Sequence, residues 1–478
     1  MSRQIINLTK QTLTYGLGNI LTRFITFLLL PLFTNLLTPE EYGLATLVFV
    51  FLGFMNIIYH YGIDSAFLRS FGEAKDKDSK RRLFSTAIWL SLGTGFTFSL
   101  LIYTFSGSIS AILLKDTQYV NIFRLAAGVL LFDSAAHVPF ALLRMKEKAI
   151  TFIIIKLINV VTTLGLNIYF IAIVKTGISG IFLSAFIASV ITVIIVYSVT
   201  ISSLRFNFSL ILVKDYLKFG LPFVPAGLAS IMMETIDRYI IEHLKGTATV
   251  GLYSAGYKLG IFMLLITTAF NYAWQPFFLR IGNTKEAKPV FARVFTYYIL
   301  GTLFVWITLS AFIHEIVRFK LFGFSIIGPS FYDSEIIIPV VLLAYIFQGV
   351  YLNFMPGIYF EKKTHYILLF TFSGALVNIC LNFVLIPRFG IMGSAVATLA
   401  GYITMALITF PVTQKLFKVP YEWSQIFKIV LSSIIAIYTI IHFGDSLSYK
   451  FLSVLIFLIL ILFMNFPLVK TKVKYLFK

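Results

Sequence analysis

Cysteine is nearly absent from this sequence, in which Cys380 is the single one among 478 residues. One thiol can form neither an internal disulfide nor a thiolate metal cluster. Because Cys380 lies within an apolar run, we interpret it as an ordinary packing residue. The sequence therefore predicts a fold with no disulfide bond, no metal site and no bound cofactor.

Charge is scarce as well. Charged residues make up 12% of the chain and hydrophobic residues 59%, whereas a soluble domain carries about 25% charged residues. Apolar runs of about 20 residues recur instead, each long enough to cross roughly 30 Å of hydrocarbon. Segments such as 451–466 are apolar on every side, whereas the strands of a barrel alternate apolar and polar residues. We therefore predict an all-α polytopic membrane protein.

Catalytic signatures are also missing. The sequence contains no His/Glu metal spacing, no nucleophile elbow and no Gly-rich nucleotide loop. We therefore expect a transporter rather than an enzyme, and one that does not itself hydrolyse ATP. A membrane-embedded polymerase or glycosyltransferase remains an alternative, but it would need a large catalytic loop, and the segment 314–335 is too short for one.

Acidic residues are few, which leaves a net charge of +19. In a soluble protein this excess could indicate nucleic-acid binding. Here the basic residues lie mostly between apolar runs, as expected for loops that Lys and Arg keep on the cytoplasmic side. We predict no nucleic-acid partner. Basic loops alternate with short or acidic ones, so both termini are predicted to be cytoplasmic.

The apolar runs predict about fourteen membrane-spanning helices. The first is too long for the apolar core of a signal peptide, and no small-residue cleavage site follows it. The predicted spans are 11–37, 42–66, 83–105, 118–141, 150–174, 178–202, 219–242, 248–278, 291–313, 335–358, 365–386, 391–414, 425–443 and 450–468.

The chain also repeats itself after about 210 residues, with six spans in each copy. Segment 36–47 (LLTPEEYGLATL) resembles 244–255 (LKGTATVGLYSA), and 175–180 (KTGISG) resembles 388–393 (RFGIMG). An even number of spans gives both copies the same orientation in the membrane, so they are parallel repeats.

The repeat predicts four regions. They are an N-lobe of spans 1–6 (1–204), a cytoplasmic amphipathic linker (205–218), a C-lobe of spans 7–12 (219–416), and spans 13 and 14 with a basic tail (417–478). Polar stripes within two parallel lobes are typical of alternating access, in which the lobes rock about a central site.

Ionisable groups within spans are expensive and normally face protein or a water-filled cavity. Each has a structural alternative. Lys156 can reach the cytoplasmic headgroups. Asp133 and His137, four residues apart, can form a structural pair, as can Glu234 and Arg238. Asp64 can pair with Arg69, and His60 shares the helical stripe of Asp64.

Three short N-terminal motifs carry a family resemblance: 15–20 reads YGLGNI, 29–34 reads LLPLFT and 37–43 reads LTPEEYG. With the two glycine turns of the repeat, they resemble the Wzx-type polysaccharide (O-antigen) flippases. That family belongs to the multidrug/oligosaccharidyl-lipid/polysaccharide (MOP) superfamily, which also holds MATE transporters and peptidoglycan-precursor flippases. The resemblance covers essentially the whole chain and implies a MATE-like fold of six, six and two spans.

The resemblance implies a function in making surface polysaccharide such as the O-antigen of lipopolysaccharide. An undecaprenyl-diphosphate-linked oligosaccharide would move from the inner to the outer leaflet of the bacterial cytoplasmic membrane. A polysaccharide polymerase and chain-length proteins would be partners beside the lipid-linked substrate and the bilayer. The alternative is a cation-coupled multidrug antiporter of the same superfamily, which would need a cavity dominated by carboxylates.

Cationic and polar side chains within spans are the candidate substrate ligands, because a lipid diphosphate needs positive charge and sugars need hydrogen bonds and stacking. These candidates are Arg23, Asn19, Lys156, Arg238, Lys258, Tyr257, Asn271 and Gln275. Arg23 also matches by position the first-span arginine that faces the cavity in related lipid flippases. Acidic and imidazole groups are candidates for coupling transport to Na⁺ or H⁺, namely Asp64, Asp133, His137, Glu234 and Asp237.

Arg23 generates the first prediction, because it lies too deep to reach the headgroups comfortably and no acidic residue accompanies it in its span. The variant Arg23→Ala should abolish translocation while the protein remains expressed and inserted. Transport into reconstituted vesicles measures this, and normal transport by the variant would rule out an anion-binding role.

Overall fold

The computed structural model describes residues 27–282, 284, 286–321, 323–363, 365–443 and 446–464. Arg23, Asn19 and most of the predicted first span lie outside the described residues. The described chain is helical throughout apart from loops and one two-residue antiparallel hairpin, in which Lys320 pairs with Ser325 and Leu321 with Phe324.

The helices of the first half follow one another with short connections. They are α1 (Leu29–Leu36), α2 (Pro39–His60), α3 (Ile63–Glu73), α4 (Lys77–Thr104), α5 (Ser106–Leu113), α6 (Val120–Met145), α7 (Ala149–Asn167, continued by a π-helix at Ile168–Ile173), α8 (Ile178–Thr200, followed by a 3₁₀ turn at Ile201–Ser203), α9 (Leu210–Gly220) and α10 (Phe223–Lys245).

The second half continues in the same manner. Its elements are α11 (Thr247–Leu259), α12 (Ile261–Ile281), α13 (Ala287–Ala311), α14 (Ile313–Arg318), β1 (Lys320–Leu321), β2 (Phe324–Ser325), a 3₁₀-helix (Pro329–Ile337), α15 (Ile338–Asn353), α16 (Pro356–Phe360), α17 (His365–Leu416), α18 (Trp423–Phe443) and α19 (Leu447–Met464).

Among the described residues, nine helices are long and apolar enough to cross a membrane, or up to eleven if each of two bent pairs is one span. The bent pairs are α9 with α10 and α11 with α12. Helix α17 has 52 residues and combines two helices that are broken at Gly390. Every predicted span from 42–66 onward overlaps a described helix or bent pair, the last one as far as Met464, so the all-α polytopic fold is confirmed.

The motif LTPEEYG marks the start of a helix. The Thr38 hydroxyl accepts a hydrogen bond from the Glu41 amide (3.2 Å), and a Glu41 carboxylate oxygen accepts one from the Thr38 amide (2.9 Å). This reciprocal capping box satisfies two backbone donors that the first turn of a helix leaves open. Pro39 occupies the first helical position, where its missing N–H costs nothing. The motif therefore specifies where α2 begins.

Packing divides the described chain into two compact units. Unit 1 comprises the residues up to Ser254 together with Gly328–Phe331, and unit 2 comprises Ala255–Ile327 and the residues from Tyr332 onward. The core of unit 1 includes the buried rings of Phe67, Phe84 and Tyr216. These units follow contacts, whereas the lobes 1–204 and 219–416 follow the sequence repeat. The lobe boundaries remain a prediction.

An aromatic cluster forms a core of unit 2. Trp274 of α12 packs its indole at 5.2 Å from the ring of Phe291 of α13, centroid to centroid, and at 5.5 Å from Phe278. Phe417, just beyond the end of α17, lies 5.9 Å from Phe291. Edge-to-face ring pairs of this kind add to the free energy of burying the rings. The cluster holds α12, α13 and the end of α17 together.

Two basic loops of unit 1 meet at one end of its helices. Lys146 follows α6, and partial burial lowers its pKa, as do the positive charges of Lys148, Arg81 and Lys77. Arg81 and Lys77 belong to the first turns of α4. The start of α4 and the end of α6 therefore lie on the same side, as the alternation of basic loops predicts.

The two glycine turns of the repeat have nearly the same backbone. Gly177 has φ 60° and ψ −144°, and Gly390 has φ 57° and ψ −133°. Asparagine precedes each turn in a buried position: Asn167 donates to the Thr163 carbonyl (2.7 Å) and Asn382 to the Asn378 carbonyl (2.9 Å), each four residues back. Equivalent segments of the repeat thus adopt equivalent local structures, which supports a duplicated fold.

The shared turn conformation generates the second prediction. Gly177→Ala and Gly390→Ala should each destabilise the protein by about 1–3 kcal/mol, because a side chain strains backbone with this positive φ. Space is not the cause, since a Cβ would meet nothing within 4 Å at Gly390 and only a carboxylate oxygen at 3.7 Å at Gly177. Thermal unfolding in detergent measures the effect.

Gly165 and Gly301 offer matched controls, because each lies within a helix and a Cβ there would also meet nothing within 4 Å. Alanine at either position should leave stability unchanged or raise it by up to about 1 kcal/mol, since alanine favours helix. Equal stability of all four variants would contradict the backbone explanation.

Candidate functional site

Five polar side chains of unit 1 meet within its spans, on α2, α6, α7 and α8. We call them the α6 cluster: His60, Asp133, His137, Lys156 and Ser189. Asp133 and His137 share one face of α6 because residues four apart on a helix lie on the same side. The sequence predicted Asp133, His137 and Lys156 as site residues on separate grounds, and the structure brings them together.

Asp133 is the acid of the cluster. Its Oδ1 atom accepts a hydrogen bond from the Ser189 hydroxyl of α8 at 2.7 Å. Lys156 of α7 lies near enough for its positive charge to interact with the carboxylate. One turn away, the Asn159 amide donates to the Thr192 hydroxyl at 2.8 Å, again between α7 and α8. Polar contacts therefore tie α6, α7 and α8 together around a carboxylate.

Two imidazoles complete the α6 cluster. The rings of His60, on α2, and His137, on α6, have their centroids 3.2 Å apart. The buried Nε2 atom of His60 has no hydrogen-bond partner among the described residues. Two positive imidazolium rings this close would repel each other strongly in a medium of low dielectric constant. A charge on one ring therefore strongly disfavours a charge on the other.

Lys156 turns toward α6. Its ammonium lies 4.5 Å from the ring centroid of Phe140, in a cation–π contact, while much of its side chain is exposed at the surface of the helix bundle. Because Phe140 and Asp133 both belong to α6, the ammonium is held against that helix. Because the Lys156 ammonium is exposed, it can bind an anionic group. Because a carboxylate lies nearby, the ammonium is not an isolated charge within the span.

The predicted pair of Asp64 with Arg69 is wrong. Arg69 instead pairs with Glu73 one turn further along α3 (3.3 Å), and Asp64 pairs with Arg144 at the end of α6 (3.4 Å). Arg144 lies 80 positions from Asp64 in the sequence, so no local pattern indicates this pair. Arg69, by contrast, is close to Asp64 on the same helix. Asp64 therefore links α3 to α6 near the α6 cluster, and its negative charge reaches His60.

Arg238 lies in a buried ion pair toward the end of α10. Its guanidinium donates to the Asp237 carboxylate and to the Glu234 carbonyl oxygen. The Tyr253 hydroxyl of α11 donates to the other oxygen of Asp237 at 2.6 Å, and the guanidinium lies 5.1 Å from the Tyr253 ring centroid. Asp237 is 1% exposed and Arg238 7%. We call these three residues the Asp237 triad. Glu234, by contrast, is exposed.

The remaining predicted ligands belong to unit 2. Tyr257 of α11 is buried and packs edge-on against Tyr345 of α15, with ring centroids 6.1 Å apart. Lys258 follows it and is half-buried, as are Asn271 and Gln275 on one face of α12. Among the described ligands, Lys156 and Arg238 thus belong to unit 1, and Tyr257, Lys258, Asn271 and Gln275 belong to unit 2.

Sequence reasoning left two members of the α6 cluster out of the candidate site. His60 had a local signal, since it shares a helical stripe with Asp64, but its contact with His137 is long-range. Ser189 lies in a strongly apolar helix and gives no signal. No group of three or more His, Cys, Asp or Glu side chains in the described part of the chain could hold a metal ion.

Comparison with known proteins places the chain in context. A family model for polysaccharide biosynthesis proteins matches residues 32–323. An uncharacterised membrane protein of Methanocaldococcus jannaschii is 23% identical over 430 residues, which cover 84% of this chain and 97% of that protein.

Solved structures share the fold. The lipid II flippase MurJ, in an inward closed conformation, superposes with a TM-score of 0.77 at 16% identity, over 96% of this chain and 99% of that one. An inward-facing multidrug resistance MATE transporter of the MOP superfamily superposes with a TM-score of 0.64 at 14% identity, over 86% of this chain and 97% of that one. The chain therefore has the fold of these transporters.

The Asp237 triad generates the third prediction. Asp237→Asn should destabilise the protein by about 3–5 kcal/mol, because it removes the carboxylate charge that pairs with the buried Arg238 guanidinium. Tyr253→Phe removes only one hydrogen bond to a charged group and should cost about 1.5–3 kcal/mol. Thermal unfolding in detergent, followed by the loss of monodisperse protein, measures both.

The control for this prediction is the double variant Asp237→Asn/Arg238→Gln. Removing both charges leaves no buried ion unpaired, so the double variant should be more stable than Asp237→Asn alone. If Asp237→Asn matched the parent in stability, the triad would not be a structural ion pair.

Proposed function

Because this chain belongs to the family of polysaccharide biosynthesis proteins, we propose that it is a flippase for lipid-linked oligosaccharides. It would move undecaprenyl-diphosphate-linked repeat units from the inner to the outer leaflet of the bacterial cytoplasmic membrane by alternating access. The family match is the observation that carries this proposal. The fold supports it, because MurJ, which is described as a lipid II flippase, has the same architecture along nearly its whole length.

The substrate chemistry narrows the choice of ligands. A lipid diphosphate needs cations that are accessible to it. Lys156 meets this requirement, since its side chain is exposed and its ammonium lies against α6. Arg23 and Lys258 remain proposed ligands, with Asn19, Tyr257, Asn271 and Gln275 for the sugars. Arg238 fits less well, because its guanidinium already binds the Asp237 carboxylate in a buried position.

The α6 cluster is the proposed coupling site. Asp133 and the His60–His137 pair would be the proton acceptors, and the positive charge of Lys156, the proposed diphosphate ligand, acts on both. A proton or Na⁺ that neutralises Asp133 would leave the Lys156 charge uncompensated and favour binding of an anion. Ion binding at Asp133 would then be coupled electrostatically to anion binding at Lys156, over a few helical turns.

The alternative is a cation-coupled multidrug antiporter, which has the same fold. A cationic drug needs carboxylates that are free to receive it. Asp237 is paired with Arg238, and Asp64 with Arg144. Asp133 has the Lys156 charge nearby. These pairings favour the flippase, and they argue against the proposed ion-coupling role of Asp237.

The decisive experiment, and the fourth prediction, is deletion of the gene followed by analysis of lipid-linked glycans. A lipid-linked repeat unit should accumulate facing the cytoplasm, and surface polysaccharide should be lost. Unchanged glycans with altered drug sensitivity would instead establish the antiporter. In the flippase case, the polymerase and chain-length proteins that consume the flipped unit are the proposed partners. Both termini of the chain would be cytoplasmic.

Complementation of the deletion tests the site. Lys156→Ala should fail to restore surface polysaccharide although the protein is inserted, because the proposed anion ligand is missing. Lys214→Ala is the matched control: Lys214 is an exposed lysine of α9, outside the α6 cluster, and its loss should be silent. In vesicles, Asp133→Asn should remove the dependence of transport on a Na⁺ or H⁺ gradient. Full complementation by Lys156→Ala would exclude Lys156 as a ligand.

A further inference from the structure

Two short helices of unit 1 enclose a charged cleft apart from the α6 cluster. Helices α3 and α9 each contribute one face to it, and the space between them measures about 380 Å³. Ligand sites in proteins have volumes in this range. We call this space the α3–α9 cleft. Its lining includes Arg69, Ser70, Glu73, Asp215, Lys218 and Phe219.

Backbone contact holds the two helices together at one end of the cleft. A Cβ atom added to Gly220, at the end of α9, would overlap the Tyr61 carbonyl oxygen. One added to Gly62, at the start of α3, would lie 2.6 Å from the Gly220 carbonyl oxygen. The buried Tyr216 hydroxyl of α9 also donates to the Leu83 carbonyl oxygen of α4 at 3.1 Å. The walls of the cleft are therefore fixed by contacts other than those of its charged side chains.

The cleft carries two charges of each sign. The Arg69 Nε atom lies 3.3 Å from a Glu73 carboxylate oxygen, and the guanidinium lies 4.9 Å from the ring centroid of Phe219. Asp215 and Lys218 line the opposite wall, on α9. All four charged residues are exposed. Accessible positive and negative groups therefore share one cleft, and their charges sum to zero.

The cleft lies where the chain enters a membrane span. Helices α9 and α10 together have the length and composition of one span, with a bend of 42° between them. Leu221 and Phe223, at this bend, are 52% and 48% exposed, and Leu210 and Ile211, at the start of α9, are each 75% exposed. Exposed apolar side chains beside charged ones are typical of a helix at the membrane–water interface. The basic loops predict that this interface is the cytoplasmic one.

The balance of charges selects the class of ligand. A diphosphate carries at least two negative charges and would meet both carboxylates, so the cleft does not fit the headgroup of the proposed transport substrate. A headgroup with one phosphate and one primary ammonium is neutral and matches both signs. Arg69 and Lys218 can donate N–H bonds to phosphate oxygens, and Glu73 and Asp215 can accept them from the ammonium. A trimethylated ammonium has no N–H group to donate.

We propose that the α3–α9 cleft binds the headgroup of an inner-leaflet phospholipid that carries a phosphate and a primary amine. Phosphatidylethanolamine has this chemistry. Its phosphate would contact Arg69 and Lys218, and its ammonium Glu73 and Asp215, while its acyl chains would follow the exposed apolar residues at the start of α10. The inference goes beyond the proposed function, because this lipid is bound and not transported.

Lipid titration of the full-length protein in detergent tests the site. Phosphatidylethanolamine, phosphatidylglycerol and phosphatidylcholine of the same chain length are added separately, and native mass spectrometry measures the bound fraction of each. The parent should bind phosphatidylethanolamine about tenfold more tightly than the other two, because only this lipid satisfies both signs of charge. Equal affinity for all three lipids would overturn the proposal.

Charge variants should change the preference in a defined way. Arg69→Gln/Lys218→Gln should weaken phosphatidylethanolamine binding about tenfold, because the phosphate loses both cations. Glu73→Gln/Asp215→Asn leaves only the two positive charges, so the preferred lipid should become phosphatidylglycerol, which is anionic. A reversed preference cannot arise from a variant that fails to fold. An unchanged preference in both double variants would overturn the site.

Lys214→Gln is the matched control, since Lys214 is an exposed lysine of α9 outside the lining of the cleft. It should leave all three affinities unchanged. If it weakened phosphatidylethanolamine binding as much as Arg69→Gln/Lys218→Gln does, binding would reflect the general positive charge of this surface, and the proposal would fail.

Competition with glycerophosphoethanolamine tests whether the ligand is a lipid. This soluble compound has the same headgroup without acyl chains, so it should displace phosphatidylethanolamine poorly, because it cannot contact the apolar surface beside the cleft. Equally strong competition would assign the cleft to a soluble ligand and overturn the lipid site.

Discussion

The hydrocarbon of the bilayer offers no hydrogen-bond partners, and the rest of this structure follows from that constraint. Backbone groups must be satisfied within each segment, which makes the spans helical. Side-chain charges within spans are stabilised by partners inside the protein, and two described carboxylates have such partners. Asp133 has the Ser189 hydroxyl and the Lys156 charge, and Asp237 has Arg238 and the Tyr253 hydroxyl.

We expect function at the polar side chains within spans that are exposed or that have an unpaired atom. The Asp237 triad is buried on every side and holds α10 to α11, so its charges serve the fold. The α6 cluster differs, because Lys156 is exposed and the His60–His137 pair has a nitrogen without a partner among the described residues. A group that can still gain a proton or an anion can respond to the state of the transport cycle. The difference between the two sets of residues is accessibility, not charge.

Most of the fold could be predicted because its determinants are local. The length of an apolar run predicts a span, and the Thr38–Glu41 capping box marks where α2 begins. The glycine turns at Gly177 and Gly390 were recognisable as equivalent because the segments KTGISG and RFGIMG match, and both glycines have a positive φ. The bends within the predicted spans 219–242 and 248–278 were not foreseen, since each half of a bent helix is as apolar as a straight one. The pairing of Asp64 was also missed, because a nearby arginine on the same helix competed with a distant one.

The sequence by itself determined that the chain is a polytopic helical membrane protein with a duplicated architecture, and it identified the ionisable residues that the spans contain. Hydrophobicity, helical spacing and turn chemistry act over a few residues and can be read directly. Only the tertiary structure decided which of those residues meet: His60 with His137, Ser189 with Asp133, and Asp64 with Arg144. The physical reason is that lipid-facing and protein-facing surfaces are both apolar in these helices. Hydrophobic periodicity therefore does not reveal the partner of a helix, and close packing between particular backbones selects it.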